Sequence, residues 1–194
     1  MQASPSPAAV APAMAACVKG KAHEGVIPAA AMTAFNAAVE HVLPGSVEVA
    51  KAYCEVVDHI VGNAGANAQN SITAGVATVA LVLTAMTSHT HSEDVQQWGA
   101  YALGGLAWGN PVNIAGILSH GGPDVLYTAA DIHIASANVQ HRVCWALNII
   151  ADYSADGRAV LLRDGRADDV ATRAKATHSD LDTPDRLLRE LSAV

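Results

Sequence analysis

From Val139 to Ala151 the chain reads VQHRVCWALNIIA, and its apolar residues recur at a helical period. Val139, Val143, Ala146, Leu147 and Ile150 stand at steps of 0, 4, 7, 8 and 11, the spacing that lines one face of an α-helix. Upstream, Pro111 to His120 reads as a short helix, with proline early, where its missing N–H costs nothing. Gly121-Gly122 breaks it, because glycine accepts the left-handed conformation that ends helices. Pro123 opens a second helix to about His133, and the chain is expected to turn near Asn138 before the third.

This three-helix pattern repeats. VQQWGAYALGGLAW, from Val95, aligns with VQHRVCWALNIIAD, from Val139, at an offset of 44. Val95, Gln96, Ala102, Leu103 and Ala107 meet Val139, Gln140, Ala146, Leu147 and Ala151, and Gly121 and Asp124 meet Gly165 and Asp168. With two residues of slack, Gly75, Cys54 and Ile60 fall on Gly121, Ala100 and Leu106. Four short stretches, AVEH, MTSH, ADIH and KATH, end in His41, His89, His133 and His178, spaced 48, 44 and 45 apart. A period near 44 lies in the range of two- and three-helix stacked repeats.

Composition agrees with closely packed helices. Half of the residues are hydrophobic but one is Phe, and alanine, the best helix former, lets backbones approach. A net charge of −7 argues against general nucleic-acid binding. Seven of the eleven Lys and Arg follow residue 150, interleaved with nine acids, as on a solvated helical surface. No uninterrupted apolar run reaches the roughly 18 residues of a spanning helix; Ile72 to Met86 is shorter and holds Gly75 and three Thr. Residues 1–7 read as a flexible tail without the basic start of a secretory signal. Three Cys without a framework point to a reducing compartment, so a cytoplasmic location is expected, with an organelle left open.

The segments GGLAWGNPVNIAGILSHGG, VQHRVCWAL and RAVLLRDG resemble armadillo repeats, most closely those of the armadillo repeat-containing protein six family, over roughly residues 25–191. The resemblance implies an all-α, right-handed solenoid of about three armadillo-like repeats with partial capping repeats. Its units would be approximately 8–63, 64–108, 109–152 and 153–194. TPDRLLRELSAV would cap the end, with Thr183 and Pro184 starting a helix and Leu187, Leu188 and Leu191 facing inward. The implied function is non-catalytic: an adaptor or scaffold binding a helix or loop of a partner protein in its concave groove, with no cofactor, nucleic acid or membrane. The alternative is a structural subunit embedded in a large assembly.

Armadillo proteins that bind extended peptides line that groove with a Trp four residues before an Asn. Here the Trp position holds Glu55, Tyr101 and Trp145, and the Asn position holds His59, Gly105 and Ile149. Asn148 is one residue early, which rotates it by about 100°. Without the asparagine ladder an import-receptor mode is not expected, but Glu55, His59, Tyr101, Gly105, Trp145, Asn148 and Ile149 remain the candidate groove. Trp98 and Trp108 are expected to fill gaps between layers of small residues.

Other chemistry is sparse. The recurrent histidines occupy equivalent positions in successive units, about a helix diameter of ~10 Å apart, too far to share a metal. They sit where a cation interacts with a helix C-terminus. His89, His91, Glu93 and Asp94 form the one local cluster with ligand chemistry. Asp58 and His59 are adjacent, so on a helix they point to different faces and make a poor catalytic pair. Cys54 and Cys144 align with Ala100, a small buried slot, while Cys17 falls outside the register. Gly104-Gly105 has no phosphate-loop spacing, and no GxSxG, HExxH or CxxC motif occurs.

Overall fold

The computed structural model describes residues 29–63 and 75–192, which form ten α-helices and one 3-10 turn and contain no strand. The helices are α1 (Ala29–Val39), α2 (Val47–Asn63), α3 (Gly75–Ser88), α4 (Glu93–Ala107), α5 (Pro111–Ser119) and α6 (Gly122–Ile132). They continue with α7 (Ala137–Tyr153), α8 (Ala155–Asp164), α9 (Arg166–Thr177) and α10 (Thr183–Ser192); Leu43–Gly45 is the 3-10 turn. The expected tail at residues 1–7, and Cys17, lie outside the described residues.

Packing follows the repeat. Helices α2, α4, α7 and α10 each pack against the next in a row. Helices α1, α3, α6 and α9 form a second row in the same way, and α5 touches α8 in a third. Segment 109–152 thus holds one helix from each row, α5, α6 and α7, and α7 runs one residue past it to Tyr153. Val139, Val143, Ala146, Leu147 and Ile150 are all fully buried, as their spacing predicts. In α10, Leu187 and Leu191 are buried and Leu188 packs against the core. Among the described residues no helix is long and apolar enough to cross a membrane.

The boundaries have local causes. Gly121 and Gly165 adopt φ of 71° and 68°, the left-handed conformation a side chain disfavours, where α5 passes to α6 and α8 to α9. Ser92 and Ser136 cap α4 and α7 by accepting from the N–H of Val95 and Val139, at 3.4 and 3.3 Å. Ser46 accepts from Val49 N–H in the same way before α2. The chain therefore turns at His133–Ser136, not at Asn138, which lies in the first turn of α7. Ser136 supplies the capping oxygen that ends the turn, and Asn138 comes after it.

Polar ties recur at one repeat length. Nε2 of His89, His133 and His178 contacts the carbonyls of Leu43, Thr90 and Ile134, 46, 43 and 44 residues back, at 2.7–2.9 Å. Each histidine follows the end of a second-row helix and stitches its turn to the preceding one. Two glutamines act similarly within units. Gln96 Nε2 donates to Met86 and His89 carbonyls, and Gln140 Nε2 donates to those of Ala130 and His133. Both glutamines are buried, at the junction where the last carbonyls of α3 and α6 lack helical donors.

The cysteine slot is a packing site. Cys54, Ala100 and Cys144 are all fully buried, and burial pushes the Cys54 thiol above its ordinary range and that of Cys144 up to about 12. Both thiols should therefore resist iodoacetamide in the native protein and react once it is unfolded. Cys54→Ala and Cys144→Ala should fold, each losing about 1 kcal/mol, because the same slot already accepts Ala. Thermal melts and mass-detected alkylation check both outcomes; fast native labelling would contradict the burial.

Candidate aromatic binding face

Helices α2, α4 and α7 present one continuous polar and aromatic face. On α4, Trp98 and Tyr101 are half-buried, and Trp108, which follows the last helical residue, is 40 % exposed. On α7, Arg142 and Trp145 are half-buried and Tyr153 is 39 % exposed. The repeat sets these side chains opposite one another: Trp98 meets Arg142, and Tyr101 meets Trp145. The Tyr101 and Trp145 rings are tilted together at 4.8 Å between centroids. Trp108 rests 6.1 Å from Trp145 and 5.9 Å from Tyr153. Such ring pairs add to their area burial and fix each other's orientation.

Tyr101 and Trp145 are thus brought together as the candidate site requires, and Glu55 lies half-buried in the same register on α2. Lys51 lies 2.7 Å from Asp94 and 3.9 Å from Glu55, so its charge is engaged. His59 is exposed. The other three positions are not available to a partner. Ile149 is 0 % exposed, within the core rather than on the face, although Trp145 and Tyr153 stand one helical turn either side of it. Gly105 is buried beneath Val61, whose Cγ2 would lie 2.4 Å from an added Cβ. Asn148 is 1 % exposed, and neither of its amide atoms has a hydrogen-bond partner.

Trp98 packs against the core as expected, but Trp108 does not fill an interior gap. It sits at the surface because α4 ends at Ala107 and leaves its ring free to fold over α7. Two residues that sequence reasoning passed over, Arg142 and Tyr153, complete the face, together with Asp58, which the sequence offered only as half of a poor catalytic pair. The Arg142 guanidinium lies 4.2 Å from the Trp98 ring centre and 4.6 Å from that of Tyr101, held by cation–π attraction. Its Nη1 is buried without a hydrogen-bond partner. The 44-residue register could have found it, since it pairs Arg142 with Trp98.

Asp58 is half-buried on α2. Burial pushes its carboxyl up to about 6, and the Arg142 charge opposes that shift. A carboxyl raised in the folded state favours folding most below its unfolded value near 4, and that contribution is lost as pH rises through about 6. The stability advantage of Asp58→Asn over the parent should therefore be present at pH 7 and shrink as pH falls to 5. Paired urea melts at the two pH values measure it; a gap that widens on acidification would contradict the burial of the charge.

The other candidate chemistry disperses. His89 bonds a backbone carbonyl, Glu93 accepts from Ser136, and Asp94 binds Lys51 and Gln97. Among the described residues no group of three or more His, Cys, Asp or Glu could hold a metal ion. A cleft of about 400 Å³ between α6 and α9 is lined by Tyr127, Asp131, Arg166 and Arg173. Its arginines are already bound, Arg166 to Asp124 and Arg173 to Asp131, each at 2.5 Å. The aromatic face thus offers ring surfaces and one guanidinium. The chain matches no protein-family model, no curated protein and no solved structure.

Proposed function

We propose that this chain is a right-handed solenoid of armadillo type acting as a non-catalytic, cytoplasmic protein-binding module, with a helix or loop of its partner lying across α2, α4 and α7. The observation that carries this reading is the aromatic run Trp108–Trp145–Tyr153, exposed at Trp108 and Tyr153, beside Tyr101 and Arg142. Binding energy at protein interfaces concentrates in Trp, Tyr and Arg. The repeat-length histidine and row-to-row contacts support the solenoid, since each unit buries its apolar side against its neighbours.

The test starts from a partner isolated by affinity purification with the parent chain. Trp108→Ser should weaken its binding at least tenfold at unchanged melting temperature. Trp145→Ala and Tyr101→Ala should do the same when assayed well below the melting temperatures that their lost packing lowers. Trp108→Ser is the safest of these, because its ring is partly in solvent. Val112→Ser and Leu162→Ser remove exposed side chains away from this face and should change the affinity less than twofold. His133→Ala is a poor control, since it cuts the bond to the Thr90 carbonyl. Full binding by the aromatic variants together with loss in the controls would place the interface elsewhere.

A further inference from the structure

We infer that Arg142 is the recognition point for an acidic side chain of the bound protein segment, an Asp or Glu flanked by apolar residues that rest on Trp108 and Trp145. This deepens the protein-binding reading and rests on it. Trp98 and Tyr101 both hold the guanidinium by cation–π contact, which leaves its N–H donors to be satisfied in the plane of the group. Nη1 is buried without an acceptor and no acid among the described residues pairs with the guanidinium, while the half-buried side chain as a whole still reaches the surface. An arginine stays protonated at neutral pH, and a planar guanidinium edge matches a carboxylate.

The other cation on this face is spoken for: Lys51 is held by Asp94 and Glu55. Asp58 feels the Arg142 charge but closes no salt bridge with it. It is therefore a competitor of the incoming carboxylate, near enough to repel it and too far to replace it. Asp58 beside the guanidinium, with Glu55 and Asp94 at Lys51, disfavours a polyanion such as RNA, whereas a single carboxylate meets the cation of this face that no acid pairs among the described residues. Apolar neighbours in the segment fit the half-exposed rings that continue the strip.

The experiment is a selection of twelve-residue peptides from a random display library against the whole chain, repeated with Arg142→Gln and with Asp58→Asn. Ligands of the parent should share one Asp or Glu at a fixed place between apolar residues. Replacing that acid by its amide should cost the parent about tenfold in affinity and cost Arg142→Gln almost nothing. Asp58→Asn should bind the acidic peptide more tightly than the parent, by about threefold or more. If ligands depend on Trp145 and Trp108 yet carry no acid, or lose equal affinity on amidation with parent and Arg142→Gln, the inference fails and the binding face survives. Ligands indifferent to Trp145, Trp108 and Arg142 alike, or no ligand at all, would overturn both.

Discussion

Gln140→Ala is expected to destabilise the protein by about 2–4 kcal/mol, and Gln96→Ala by nearly the same amount. The two side chains do one job in successive units. Each spans the junction between a second-row helix and the first-row helix that follows it, and donates to two carbonyls at 2.8–3.1 Å. The second of these carbonyls keeps another donor, because Ser92 N–H reaches His89 and Ser136 N–H reaches His133. The first, on Met86 or Ala130, sits in the last turn of its helix, where no helical donor remains. Truncation therefore leaves one buried carbonyl unsatisfied, removes a second bond and opens a cavity. Urea denaturation of both variants measures the cost. A loss below about 0.5 kcal/mol in either would mean that water replaces the amide, and unequal losses would break the equivalence of the units.

Gly104→Val should cost about 3 kcal/mol or more. Gly104 lies in the last turn of α4, and inside a helix glycine is up to about 1 kcal/mol worse than alanine, so helix propensity alone would make most replacements favourable. Packing decides otherwise. A Cβ there would fall 2.3 Å from Cζ3 of Trp145 and 3.2 Å from Cα of Ala146, so both the indole and the α7 backbone would have to move. The stacking of Trp145 on Tyr101 thus depends on the missing side chain of Gly104. Gly116→Ala is the internal contrast: it is also inside a helix, but its nearest contact is Val76 Cγ2 at an ordinary 3.4 Å, so it should be neutral or stabilise by up to about 1 kcal/mol. Thermal melts with tryptophan emission as a second readout separate the two. A stable Gly104→Val variant with parental emission would show that α4 and α7 are not in close contact.

The helical rows were legible because a buried stripe and a repeat leave periodic traces. The face of α7 could be read from Val139, Val143, Ala146, Leu147 and Ile150, and the passage from α5 to α6 from the glycine pair at 121 and 122. The turn before α7 was misplaced toward Asn138 because its capping side chain, Ser136, precedes the apolar stripe that drew the alignment. The binding face was legible only in part. Tyr101 and Trp145 followed from the armadillo resemblance, and the structure sets them ring to ring. Ile149 and Gly105 occupied the right register, but register does not report burial, and here Ile149 lies in the core and Val61 lies against Gly105. Arg142 was overlooked because a lone arginine on a helix reads as solvated surface; its meaning comes from two rings 44 and 41 residues earlier in the chain.

The central claim is that the α4–α7 aromatic face is where another protein sits. Site-specific photo-crosslinking in the cell tests it most directly, with a benzophenone amino acid placed at Trp108 or Tyr153 on that face, or at the exposed Val112 or Leu162 on α5 and α8, outside the three helices that form it. Irradiation should give the same discrete protein adduct from positions 108 and 153, and none from 112 and 162. An adduct formed from 112 or 162, with positions 108 and 153 silent, would contradict the account.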